Sequence, residues 1–255
     1  MKNHPGILDL IQNAFKIFSR SSGNFIAFTL LFFGLGQMFE LLDDHIYPVF
    51  SYVNDFLIGP ALAVGWYYAA KEIKEYNSVT FSAFLEGFKK MGGLIVIYLL
   101  EMFLLVLIFA LIFLLVIGIS IPFSEMITNP ENVLEIFVQQ LFENSLFIVG
   151  LILLLMPIIY LLGMVFTLAS LDYALQSHSI GRSISTGWRL VQENPGQLLL
   201  MLVAFFILGL LGLLAFVIGL LVAIPIMHIT LYLFYNSRTQ VEPASMDLYE
   251  ELIIN

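Results

Sequence analysis

The chain contains no cysteine, only ten Lys and Arg among its 255 residues, and charged residues of either sign at just 11%. Each shortage excludes a class of protein. Without cysteine there is neither a disulfide scaffold nor a thiolate metal site. With ten scattered cations and a formal net charge of −9, no basic patch exists to hold nucleic acid. A soluble domain carries roughly 25% charged residues, so this chain has too little polar surface to cover a globule in water. What is present is apolar: 60% of residues are hydrophobic and the mean hydropathy is +0.96. The composition reads as a polytopic membrane protein.

A helix needs about 20 apolar residues to cross a bilayer core. Six stretches qualify, near 24–42, 49–70, 92–121, 145–171, 197–214 and 218–236. The last two form one apolar run broken only by His228, and as a single helix it would reach about 60 Å, twice the core. It must therefore fold back, and Gly209, Gly212 and Gly219 mark the expected turn. All ten cations fall on one side of this arrangement, and the connections at 43–48 and 122–144 carry acids alone. The positive-inside bias then places both termini in the cytoplasm. No cleavable leader is expected, because Asp9, Gln12, Asn13 and Lys16 interrupt the segment 7–18.

Three amphipathic stretches precede outward spans. On a helical wheel Ile7, Leu10, Ala14, Phe15 and Phe18 oppose Asp9, Gln12, Asn13, Lys16 and Arg20. Phe81, Phe84, Leu85 and Phe88 oppose Ser82, Glu86, Lys89 and Lys90, while Ile180, Ile184, Trp188 and Val191 oppose Arg182, Ser185, Arg189 and Gln192. The stretches align as small, aromatic, basic: Ala14-Phe15-Lys16, Gly87-Phe88-Lys89 and Gly187-Trp188-Arg189. Each following hairpin holds a proline in its second helix, at Pro60, Pro157 and Pro225. The expected fold is all-α, a polytopic membrane helical bundle of six transmembrane helices. It is built as three repeated units of cytoplasmic amphipathic helix plus transmembrane hairpin, at about 7–70, 80–171 and 180–236. Together they make one membrane domain, 1–240, followed by an acidic cytoplasmic tail, 241–255. Residues 130–143 read as a further helix on the outer side, opened by Asn129 and Pro130.

Lys16, Arg20, Lys89, Lys90, Arg182 and Arg189 are candidate contacts to anionic headgroups, with simple elbow packing as the competing reading. Within the spans, Glu101, His228 and Asp55 form a candidate intramembrane polar site, since ionisable groups at membrane depth are costly. The alternative is a protonated Glu101 and a neutral His228 tying helices together. Gln37, Glu40 and Asp172 lie nearer the boundaries and are expected to meet water. The small pairs Gly59/Ala63, Ala61/Gly65 and Gly219/Ala223 suit close helix packing and place the second span centrally. The histidines (His4, His45, His178, His228) are dispersed, and no phosphate-binding loop, nucleophile elbow or dinucleotide fingerprint occurs, so no catalytic, cofactor or metal residues are assigned.

Gly59-Pro60-Ala61-Leu62-Ala63-Val64-Gly65, then Tyr76-Asn77-Ser78-Val79-Thr80-Phe81 and Gly87-Phe88-Lys89, resemble a known group, as do Asp172-Tyr173, Gly187-Trp188-Arg189 and Ile224-Pro225. The chain resembles uncharacterised bacterial six-helix integral membrane proteins related to the membrane domain of glycerophosphoryl diester phosphodiesterases. Some of these carry the label β-carotene monooxygenase. The resemblance implies a six-helix fold and a bacterial cytoplasmic membrane, and it assigns no reaction to particular residues. The leading expectation is a non-enzymatic membrane protein acting through lipid or protein contacts, as scaffold or accessory subunit. Its partners would be membrane lipids and a protein held by the tail (Glu242, Asp247, Glu250, Glu251), or a second copy, with no nucleic acid. The alternative is a transporter, channel or lipid-moving protein that uses Glu101 and His228.

Overall fold

A computed structural model describes residues 5–46, 50–120 and 145–239. The expected outer helix at 130–143 and the acidic tail lie outside them. Every regular element among the described residues is helical. The amphipathic helix α1 (Ile7–Arg20) opens where the Gly6 N–H donates to the Asp9 carboxylate at 3.1 Å, and Arg20 in its last turn suits the negative helix end. Helix α2 (Ser22–His45) follows at once.

The second expected span appears in pieces: α3 (Phe50–Val53), a π-helical turn (Asn54–Ile58), α4 (Gly59–Ala63) and α5 (Gly65–Tyr76). Pro60 is the cause. It has no N–H to continue the α ladder, and just ahead of it the Gly59 N–H bonds back to the Asn54 carbonyl. Asn77, in the left-handed conformation at φ 59°, ends α5.

The stretch Phe81–Lys90 is a 3₁₀ helix rather than the expected α-helix. With three residues per turn it stacks Phe81, Phe84 and Gly87 on one side, and Phe84 and Gly87 are buried. It runs into α6 (Met91–Ser120). Then come α7 (Ser145–Gln176), α8 (Ile180–Glu193), α9 (Pro195–Leu214) and α10 (Phe216–Thr239). Five of these helical stretches are long and apolar enough to cross a membrane.

The hairpin turn between α9 and α10 lies at Ala215–Phe216, with Phe216 at φ 57°, and not at the glycines. Gly212 and Gly219 stay helical beside that turn. A Cβ on Gly219 would strike Gly212, so their role is to let the two helices approach near the tip.

Burial concentrates at 61–73, 164–174 and 223–235, which belong to α4–α5, α7 and α10. These are the core helices. The Tyr68 hydroxyl donates to the Ala174 carbonyl at 2.6 Å, joining α5 to α7, and the Tyr235 hydroxyl donates to Asp172 at 2.6 Å, joining α10 to α7. Helices α2, α6 and α9 sit outside and expose Leu30, Phe103, Phe109, Phe206 and Leu214, an apolar surface that lipid would cover.

Candidate functional site

Each amphipathic helix is seated on a core helix: α1 on α10, Phe81–Lys90 on α4 and α5, and α8 on α7. The seat is made by the small residue of the aligned triplet. Ala14, Gly87 and Gly187 are all buried. A Cβ on Gly87 would run into the Ala61 carbonyl oxygen, and one on Gly187 into the Val165 carbonyl oxygen. Glycine is required at both because the helices touch backbone to backbone.

The next residue turns away from the seat, by about 100° in the two α-helices and about 120° in the 3₁₀ helix. Phe15, Phe88 and Trp188 are accordingly 44%, 40% and 48% exposed, which places them at the rim of the seat. One step further, Lys16, Lys89 and Arg189 are exposed. An apolar ring at the rim with a cation beyond it is the arrangement of residues at a membrane–water boundary.

The candidate headgroup contacts differ in what already holds them. Lys89 pairs with Glu86 at 2.7 Å, and Arg189 meets Glu193 at 4.0 Å. Lys90 donates to the Ser177 hydroxyl at 3.0 Å and lies over the Tyr173 ring. Among the described residues, Lys16, Arg20 and Arg182 have no acid within ion-pair distance. Lys16 and Arg20 line a cavity together with Lys74, a residue that sequence reasoning missed. Lys74 comes from α5, in a different part of the chain, so no local pattern announces it.

The intramembrane candidates are not brought together. His228 stacks on Trp66 with ring centroids 4.2 Å apart, and its Nδ1 lies 2.9 Å from the Ile224 carbonyl, which makes that nitrogen the donor. Trp66 in turn donates to the Thr29 hydroxyl at 3.3 Å. Glu101 instead lies against Gly163 of α7. Among the described residues no hydrogen bond or ion pair links Glu101 to His228. Asp55 sits in the π turn, exposed, accepting from the Asn54 amide at 3.1 Å. With Gln37, Asn54 and Tyr98 it lines a cavity of about 340 Å³ between α2, the π turn and α6.

Asp172 corrects the expectation that it meets water: it is 1% exposed. Its two carboxylate oxygens accept from Tyr235 at 2.6 Å and from His178 Nδ1 at 2.9 Å. Those hydrogen bonds replace the hydration that a buried carboxylate loses. Gln37 and Glu40 are exposed, and the Gln37 amide donates to the Glu40 carboxylate at 3.0 Å.

No curated protein and no solved structure matches the chain. Residues 48–168, just under half of the chain, match the family described as "Predicted integral membrane protein (DUF2189)". That likeness runs through the Pro60 segment, the 3₁₀ helix, α6 and most of α7. It carries none of the phosphodiesterase relation or the carotene label that the resemblance had implied. With its apolar helices, it makes the chain an integral membrane protein.

Proposed function

We propose that this protein is a non-enzymatic, multi-pass protein of the bacterial cytoplasmic membrane, a scaffold or accessory subunit that acts through lipid and protein contacts at its cytoplasmic face. Both termini lie in the cytoplasm in this reading, and the segmented 50–76 stretch counts as a sixth crossing. The three units then form a closed ring, because each amphipathic helix sits on the core helix of the preceding unit and α1 sits on that of the last. The observation that carries the lipid reading is the set of three rims, Phe15, Phe88 and Trp188, each about half exposed beside a buried small residue. Packing alone would leave no reason for a large aromatic at each solvent rim.

Trp188 supplies the test, because the chain has only two tryptophans and Trp66 is buried in the core. In the Trp66→Phe variant, reconstituted in bilayers, Trp188 fluorescence should be quenched by phosphatidylcholine brominated near the carbonyl end of its acyl chains. Quenching by aqueous iodide alone would sink the lipid reading. If the tail docks a partner, deleting 241–255 should release it from pull-downs, and full retention removes the tail from the interface.

The cavity of about 340 Å³ at Asp55 favours a second reading, passage of a solute past Tyr98 towards Glu101. Under it, Glu101→Gln should abolish flux into proteoliposomes while the protein stays folded. Unchanged flux would remove Glu101 from any pathway.

A further inference from the structure

The cavity between α1, α10 and α5 holds about 490 Å³ and is lined by Lys16, Arg20 and Lys74, with Asn13, Asn236 and Ser237 beside them. Among the described residues no carboxylate lines it and none of the three cations has an ion-pair partner. Lys71, Lys89 and Arg189 each have an acid on their own helix, and Arg182, which like the cavity cations has none among the described residues, does not line the cavity. Three like charges around one small cavity repel each other, and an anion placed among them would remove that repulsion.

The donor set specifies which anion. Arg20 offers a planar fork, Lys16 and Lys74 offer point charges, and the two asparagine amides offer neutral donors from opposite walls. Together they match a tetrahedral group with several equivalent acceptor oxygens. We propose that this cavity is a phosphate-binding site. The walls are fixed in advance: Gln197 of α9 donates to the Pro5 carbonyl at 3.0 Å and accepts from Arg238 of α10, which pins the start of α1 against the bundle. Pro5 also borders an apolar groove of about 740 Å³ along α9, lined by Leu200, Val203 and Ile207. A phospholipid would place its phosphate in the first and an acyl chain along the second. A free phosphate would use the first alone.

The lipid form deepens the lipid-contact reading above, whereas the soluble form stands without it. The test uses the full chain in neutral detergent and two probes. Native mass spectrometry follows retention of phosphatidylglycerol against phosphatidylcholine, and thermal unfolding follows stabilisation by inorganic phosphate. The variants are Lys16→Gln/Arg20→Gln/Lys74→Gln and, as a control, Lys71→Gln, on the same helix as Lys74 but paired with Glu75. One preferred phosphatidylglycerol per chain is expected, with affinity falling about fivefold per cation removed from the cavity and little changed in the control. Stabilisation by inorganic phosphate without a lipid preference, abolished in the cavity variant, assigns the site to a soluble phosphate. Phosphatidylglycerol retained by the cavity variant as well as by wild type overturns the site and leaves the lipid-contact reading standing. Wild-type protein that responds to neither probe overturns the site. Should the triple variant fail to fold, Lys74→Gln alone must still cost about fivefold.

Discussion

Where α1 meets α10, Lys16, Arg20 and Lys74 surround a cavity that no carboxylate of the described residues lines. Where the 3₁₀ helix meets α5, Glu72, Glu75 and Glu86 line the cleft with Lys71. The underlying packing is alike: a small residue buried at the seat, an aromatic at the rim and a lysine at the surface. The charges do different jobs. In the second cleft Glu72 accepts from the Thr80 N–H at 2.9 Å and from its hydroxyl at 3.1 Å, and Lys71 and Lys89 are paired in place. In the first, no ion pair holds the cations among the described residues. Backbone-level packing is thus the shared framework, and charge is the part left free for a ligand on one side and spent on local structure on the other.

The framework should break most severely. Gly187→Leu or Gly87→Leu forces a side chain into a carbonyl oxygen, and either should cost about 3 kcal/mol or prevent folding. Equal, large drops in thermal midpoint at both sites would confirm equivalent seats, and a drop at only one would end that equivalence. Next, Asp172→Ala strands the buried Tyr235 hydroxyl and should cost about 2 kcal/mol, read from the same unfolding curves. Glu72→Ala, which unties Thr80, should cost about 1 kcal/mol. Lys74→Ala should stay within about 0.5 kcal/mol of wild type in phosphate-free, lipid-poor detergent. A larger loss there would mean that Lys74 holds structure after all, and the contrast between the clefts would collapse.

Much of this framework was legible in the sequence because it is periodic. The amphipathic wheels, the small-aromatic-basic triplet and the long apolar runs all follow from spacing along one helix. What escaped depends on partners far apart in the chain. Asp172 sits at the end of an apolar run and reads as a boundary residue, yet Tyr235, 63 positions on, buries it. Lys74 joins Lys16 and Arg20 only once α5 and α1 are side by side. The glycines near 212–219 signalled a special backbone, but the need was close approach rather than a turn, and Phe216 took the left-handed position instead. Pro60 foretold a break, though not the π turn that absorbs it.

The bond from Gln197 to Pro5 spans 192 residues, and α10, the seat of α1, is the last helix described. Synthesis runs from the other end. When α1 leaves the ribosome its buried face, Leu10, Ala14 and Ile17, has no seat, and none exists until α9 and α10 have been made and inserted. Contacts this remote along a chain form late. Through most of its own assembly the protein must therefore keep its first helix waiting on some other apolar surface, and the final hairpin is the step that recovers it.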